Sequence, residues 1–79
     1  MDGTPDEVRA RLEQAARLYD QAAEELDGAA AHCRRAAEHF RNGDVPRAAA
    51  HAWAAFGHVL EAEQRLDDQA REHRLRSQV

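Results

Sequence analysis

The stretch from position 41 to 46, which reads Arg-Asn-Gly-Asp-Val-Pro, separates two long alanine-rich segments of the chain. Gly43 can adopt the left-handed conformation that ends a helix. Asp44 can accept hydrogen bonds from the free amides of a following helix, and Pro46 has a backbone angle suited to a first turn. A polar break of about five residues makes the flanking helices antiparallel neighbours. The stretch therefore predicts a helical hairpin.

The composition favours helices and excludes several classes of function. Eighteen alanines, no isoleucine and no run of β-branched residues predict an all-α chain, and 79 residues suit one small domain over 1–79. The net charge of −4 argues against general binding to nucleic acids or anionic membranes. A single cysteine excludes an internal disulfide framework. Because the N-terminus is acidic and no apolar run is long, we expect no signal peptide, no membrane span and a cytoplasmic protein.

A heptad repeat predicts one long helix on each side of the break. Thr4 and Glu7 flank Pro5 in the pattern of a capping box, which places the first helix from Pro5 to about Arg41. The second is predicted over about 46–76, leaving 1–4 and 77–79 as loose ends. Small or apolar side chains alternate at spacings of four and three along both helices, as in a coiled coil. The predicted core is Val8, Leu12, Ala15, Tyr19, Ala22, Leu26, Ala29, Cys33, Ala36 and Phe40, facing Ala48, Ala52, Ala55, Val59, Ala62, Leu66, Gln69 and His73.

Asp27 and Gly28 leave a three-helix alternative open, because this pair also suits a turn. The heptad continues through Gly28 in phase, and it places this glycine on the outer face, where it costs only about 1 kcal/mol. We therefore favour an unbroken first helix.

One edge of the predicted hairpin is apolar. An isolated hairpin would leave these side chains in water, and burying one aromatic or leucine side chain stabilises a protein by about 1.5–3 kcal/mol. We expect the hairpin to dimerise through this edge into a four-helix bundle. The alternative is that these are scattered surface residues. The predicted interface consists of Trp53, Phe56, Leu60 and the stripe of Ala16, Ala23, Ala30 and Ala37.

The other edge carries four of the five histidines. The antiparallel register pairs His39 with His51 and His32 with His58, as two rungs roughly 10 Å apart. The next layer on this edge pairs Glu25 with Arg65 as a salt bridge. Neutral imidazoles could hold Zn, Cu or Ni, but each rung supplies two ligands and a firm site needs three or four. The alternative is half-exposed polar residues beside the core.

No nucleophile, base and orienting group can be assembled from the remaining residues, and Cys33 is predicted to be a small core residue. We therefore predict a non-enzymatic structural or interaction module that forms a homodimer, without a cofactor. The alternative is a transition-metal-binding protein that uses His32, His39, His51 and His58.

Two short motifs resemble known families. The segment 40–44, Phe-Arg-Asn-Gly-Asp, with the alanines that follow it, resembles the hairpin turn of a tetratricopeptide repeat. It is also similar to small uncharacterised helical-hairpin proteins whose turn reads F-x-x-G-D. Arg34 and His39 match the Arg-x4-His pattern of HEPN-type ribonucleases, a resemblance that implies an RNA-cleaving dimer as a third hypothesis.

Overall fold

The chain folds into two antiparallel α-helices joined by a short turn. In the computed structural model the backbone is described for residues 3–77 and the side chains for residues 3–75. Helix α1 spans Pro5–Arg41 and α2 spans Val45–Ser77, which confirms the predicted all-α hairpin. The extents of 59 × 21 × 12 Å are those of two long helices lying side by side in one layer. Within the described range, neither helix carries the long apolar run that a bilayer span requires.

The predicted capping box starts α1. Glu7 N donates to Thr4 Oγ1 at 3.1 Å, and Thr4 N donates to Glu7 Oε2 at 3.3 Å. These bonds satisfy two of the amides that a helix N-terminus leaves without intrahelical partners. Thr4 is therefore part of the folded hairpin. At the other end Ser77 belongs to α2, whereas residues 1, 2, 78 and 79 of the predicted loose ends lie outside the described residues.

The turn forms as its residues predict. Gly43 has a φ of 75°, the left-handed conformation that closes a helix. Asp44 N donates to His39 O at 2.8 Å, which satisfies a carbonyl group of the last turn of α1. Asp44 Oδ1 in turn accepts a hydrogen bond from Arg47 N at 3.3 Å, so Asp44 caps the start of α2.

Helix α1 passes through Gly28 without a break, which removes the three-helix alternative. The expectation that Gly28 faces outward is wrong. A Cβ atom placed on Gly28 would lie 3.0 Å from His58 Cε1, so this position faces α2. The missing side chain leaves room for the His58 ring directly against the backbone of α1.

The fully buried part of the contact between the helices consists of alanine methyl groups. Among the described side chains, none larger than alanine is buried. The buried residues recur every seven positions in each helix, so they form one column along α1 and one along α2. Such small side chains allow the two helix axes to approach closely. These residues are Ala22, Ala29 and Ala36 of α1 and Ala48, Ala55 and Ala62 of α2.

Each helix contributes a second column of side chains to the predicted core, beside the alanine column. This part of the prediction is wrong, because these side chains are exposed in both helices. At the separation set by alanine and Gly28, large side chains do not fit between the axes. Each helix is instead rotated so that its histidine edge turns toward the partner helix, and the large residues lie to the opposite side. The exposed residues of this column are Leu12, Tyr19, Leu26, Cys33 and Phe40 of α1 and Ala52, Val59, Leu66 and His73 of α2.

The two helical glycines give a test of this close approach. Gly57→Ala should stabilise the protein by about 1 kcal/mol through helix propensity, because a Cβ atom there meets nothing within 4 Å. Gly28→Ala has the same gain in propensity but displaces the His58 ring, so we expect no net stabilisation. Urea denaturation followed by circular dichroism compares the two variants. Equal stabilisation by both would show that His58 moves away without cost.

Candidate functional site

Four imidazole rings form a single continuous file between the helices, in the order His39, His51, His32 and His58. The rings alternate between α1 and α2. Their successive centroids are 5.4, 5.1 and 5.3 Å apart, with interplanar angles of 16°, 34° and 20°. All four residues are half-buried. We call this arrangement the histidine file.

The histidines predicted to pair are in contact, but the prediction that the two pairs form separate rungs is wrong. His39 stacks on His51 and His32 stacks on His58, as the register indicates. The rings of His51 and His32 are also in contact, so no gap divides the pairs. Histidines seven residues apart on one helix are about 10 Å apart along its axis, and a ring from the other helix fits midway between them.

The central pair of the file is joined by a hydrogen bond between two like atoms. His32 Nδ1 and His51 Nδ1 are 2.9 Å apart. An imidazole nitrogen either donates or accepts, so one of these two nitrogens carries a proton and the other offers its lone pair. The two rings therefore differ in tautomer or in charge.

A carboxylate ends the file. Glu25 Oε1 lies 2.7 Å from His58 Nδ1, which makes His58 Nδ1 the donor to an acceptor-only group. The predicted salt bridge between Glu25 and Arg65 is wrong, because Arg65 Nη2 instead lies 3.8 Å from Glu61 Oε2. The space left by Gly28 lets the His58 ring reach Glu25.

Protons bind unfavourably at the middle of the file. Burial lowers the pKa of His51 below its usual value of 6.5, and the positive charges of His32, His39 and Arg35 lower this pKa further. His51 thus favours the neutral form, in which it can accept or donate the bond to His32.

The central distance fits a proton rather than a metal ion. Two nitrogen ligands of a tetrahedral zinc ion lie about 3.3 Å apart, given Zn–N bonds of about 2.0–2.1 Å. The nitrogens of His32 and His51 are closer than this. Among the side chains of residues 3–75, no group of three or more histidine, cysteine, aspartate or glutamate residues is arranged to hold a metal ion. Metal binding by the file would require its rings to rotate and separate.

The opposite side of the hairpin is apolar. Leu26 of α1 lines one shallow groove together with Val59 and Leu66 of α2, which places the exposed large residues of both helices on the same side. Trp53 is 72% exposed, and its ring meets Phe56 edge to face at a centroid distance of 6.4 Å. We call this side, with Trp53 and Leu60 at its outer edge, the apolar face. Its large residues are Leu12, Tyr19, Leu26, Phe40, Val45, Trp53, Phe56, Val59, Leu60 and Leu66.

Sequence reasoning found only part of the apolar face. It identified Trp53, Phe56 and Leu60, but it assigned the leucines and the tyrosine of α1 to the core. Of the alanines predicted beside them, Ala16 and Ala23 are exposed, whereas the remaining two, at positions 30 and 37, are half-buried. The alternation of alanine with large residues in the heptad was the signal that only the alanine column fits between two close helices.

In the HEPN-like motif, Arg34 is exposed while His39 is stacked within the histidine file. Compared with family models, with curated proteins and with solved structures, the chain has no match in any of the three.

The carboxylate at the end of the file gives a test of the site. Glu25→Ala should destabilise the hairpin by about 1 kcal/mol, because it leaves the half-buried Nδ1 of His58 without its acceptor. Glu24→Ala is the matched control: it removes the same side chain from the next position, which is exposed. We expect this control to change the free energy of unfolding by less than about 0.5 kcal/mol. Equal changes in the free energy of unfolding for the two variants, measured by urea denaturation at neutral pH, would contradict the hydrogen bond between Glu25 and His58.

Proposed function

We propose that the chain is a non-enzymatic interaction module that dimerises through the apolar face into a four-helix bundle. The observation that supports this most directly is the distribution of apolar side chains. Only alanine is buried between the helices within the described residues, while most of the leucines and aromatic residues are exposed on the apolar face. A hairpin arranged in this way has most of its capacity for hydrophobic burial still unused.

The exposed area supports a partner of about the size of a second copy. The chain exposes 6138 Å². A compact monomer of 8.9 kDa exposes about 4,800 Å². The excess of about 1,300 Å² is larger than the roughly 800 Å² that each partner contributes to a standard protein interface.

A second copy also supplies the layer that the hairpin lacks. Domains usually enclose a core between at least two layers of secondary structure, and this molecule is one layer with a thickness of 12 Å. A two-fold axis places the same face of two chains against each other. The large side chains of Leu12 and Tyr19 then lie beside the small exposed residues Ala16 and Ala23, which offers ridges and hollows that can interlock.

No catalytic role is part of this proposal. Within the described residues, the side-chain hydrogen bonds of the file join its own ring nitrogens and the carboxylate of Glu25. Cys33, the one thiol of the chain, belongs to the exposed column on the opposite side. The chemistry of the file is therefore the exchange and sharing of protons between bases.

The dimer has a direct test in Trp53→Glu. A charge on the apolar face has to be desolvated on association, so this variant should sediment as a monomer at tens of micromolar, a concentration at which we expect the wild type to be dimeric. Leu75→Glu is the matched control, because Leu75 is also exposed (64%) but lies nine residues beyond Leu66, the last large residue of the apolar face; it should remain dimeric. A wild-type chain that sediments as a monomer under these conditions would overturn the proposal.

Binding of Zn, Cu or Ni by His32, His39, His51 and His58 is the second candidate function. The observation in its favour is the close approach of four imidazoles along one line. A metal ion must compete with the proton between the central pair. It also needs three or four ligands directed at one point, and the nitrogens of the file are not arranged in this way.

A thermal shift experiment separates the two candidates. Because the central nitrogens are too close for a shared ion, we expect Zn²⁺, Cu²⁺ or Ni²⁺ at neutral pH to leave Tm unchanged. A rise in Tm that His32→Ala or His58→Ala abolishes, and that His73→Ala retains, would establish metal binding instead. His73 lies outside the file and serves as the control for removal of one imidazole.

A further inference from the structure

The histidine file joins α1 to α2 through hydrogen bonds whose existence depends on the number of bound protons. We propose that it is a proton-operated latch: it holds the helices together while His32 and His51 share one proton between their Nδ1 atoms, and it opens when both Nδ1 atoms are protonated. This inference concerns a single hairpin and does not rest on the proposed dimer.

The proton balance of the central pair gives the latch two steps. In the neutral pair, one ring donates its Nδ1 proton to the lone pair of the other Nδ1 atom, at 2.9 Å. The donor ring has a free Nε2 atom, and a first added proton can bind there. The ring becomes an imidazolium, and its Nδ1–H still donates, now as a charge-assisted bond. A second added proton must take the lone pair of the accepting Nδ1 atom, which leaves two donors and two positive charges facing each other.

The surroundings of the central pair oppose the second proton. The charged and titratable groups that act on His51 from α1 are His32, His39 and Arg35, and they all favour the neutral imidazole. The carboxylate of Glu25 lies at the far end of the file and contacts His58.

On α2 itself, Asp44 lies two turns before His51 and contacts Arg47 Nε at 3.4 Å. Neither of these carboxylates contacts the central pair, so an imidazolium at His51 has only positive groups among the neighbours that shift it. The lowered pKa of His51 agrees with the proposed geometry.

The direction of the pH effect follows from this lowered pKa. The unfolded chain binds a proton at His51 near the ordinary value of about 6.5, whereas the folded chain binds it only at lower pH. The stabilisation is therefore complete above about pH 6.5 and is lost as the pH falls below this value. The lost bond is one of the side-chain hydrogen bonds that join α1 to α2, together with the bond between His58 and Glu25.

The variant His51→Asn tests the latch. The amide atoms of asparagine lie about where Nδ1 of histidine lies, so this side chain can accept from a protonated His32 or donate to a neutral one. For the wild type, we expect the unfolding equilibrium constant from urea denaturation to rise as the pH falls from about 7.5 to 5.5, because the pKa of His51 is lowered in the folded chain. His51→Asn should lose most of this rise. His73→Asn is the matched control and should retain the full rise.

The reciprocal variant His32→Asn should also reduce the rise, and it keeps the test available if the first variant does not fold. Nitrogen chemical shifts of the wild-type imidazoles give a second readout. At about pH 8, one ring of the central pair should be the Nδ1–H tautomer. Two Nε2–H rings that titrate independently, or equal pH dependence in wild type and both Asn variants, would overturn the latch. Sedimentation at each pH reports the oligomeric state separately, so a monomeric chain would overturn the dimer and leave this test intact.

Discussion

The close approach of the two helices is the constraint on which the other features depend. It is possible because each helix presents a column of alanines to the other and because α1 has a glycine where the His58 ring lies against it. Once the helices are this close, no leucine or aromatic side chain fits between them. The large apolar residues are therefore excluded to one side, and the flat imidazole rings interdigitate on the other.

The hairpin consequently has two sides with different physical roles. The side with the histidine file joins the helices through directional hydrogen bonds, which need a specific distribution of protons. The apolar face offers non-directional hydrophobic contact, which is insensitive to protons and suited to a partner. The contact within the hairpin and the proposed contact with a second copy thus use different chemistry, so changes on one side need not alter the other.

Local signals in the sequence predicted the hairpin fold. The rotation of each helix about its own axis was not predicted, because it depends on the distance between the helices. Thr4, Glu7, Gly43 and Asp44 act within one turn of the backbone, so the capping box and the hairpin turn are readable from neighbouring residues. The heptad repeat fixes which columns are apolar. The distance between the helices decides which of these columns contacts the other helix. That distance depends on the side chains of both helices together.

The histidine site shows the same limit. The antiparallel register correctly paired His39 with His51 and His32 with His58, because register follows from the length of the turn. It could not show that the rings interdigitate, since this follows from the rotation of the helices and from the space beside Gly28. The bond between two Nδ1 atoms is a still finer feature, for it depends on side-chain rotamers that residue spacing does not define.

An interface made of methyl groups has a consequence for the thermodynamics of this molecule. The heat-capacity change of unfolding grows with the apolar area that becomes hydrated, and alanine contributes little of it. Opening the hairpin alone should therefore have a small heat-capacity change, and its free energy should follow a shallow curve with temperature. A pronounced curvature, with weakening on cooling, belongs instead to whatever surface covers Trp53, Phe56 and their neighbours. In the proposed dimer, sensitivity to cold would therefore come from the association rather than from the hairpin fold.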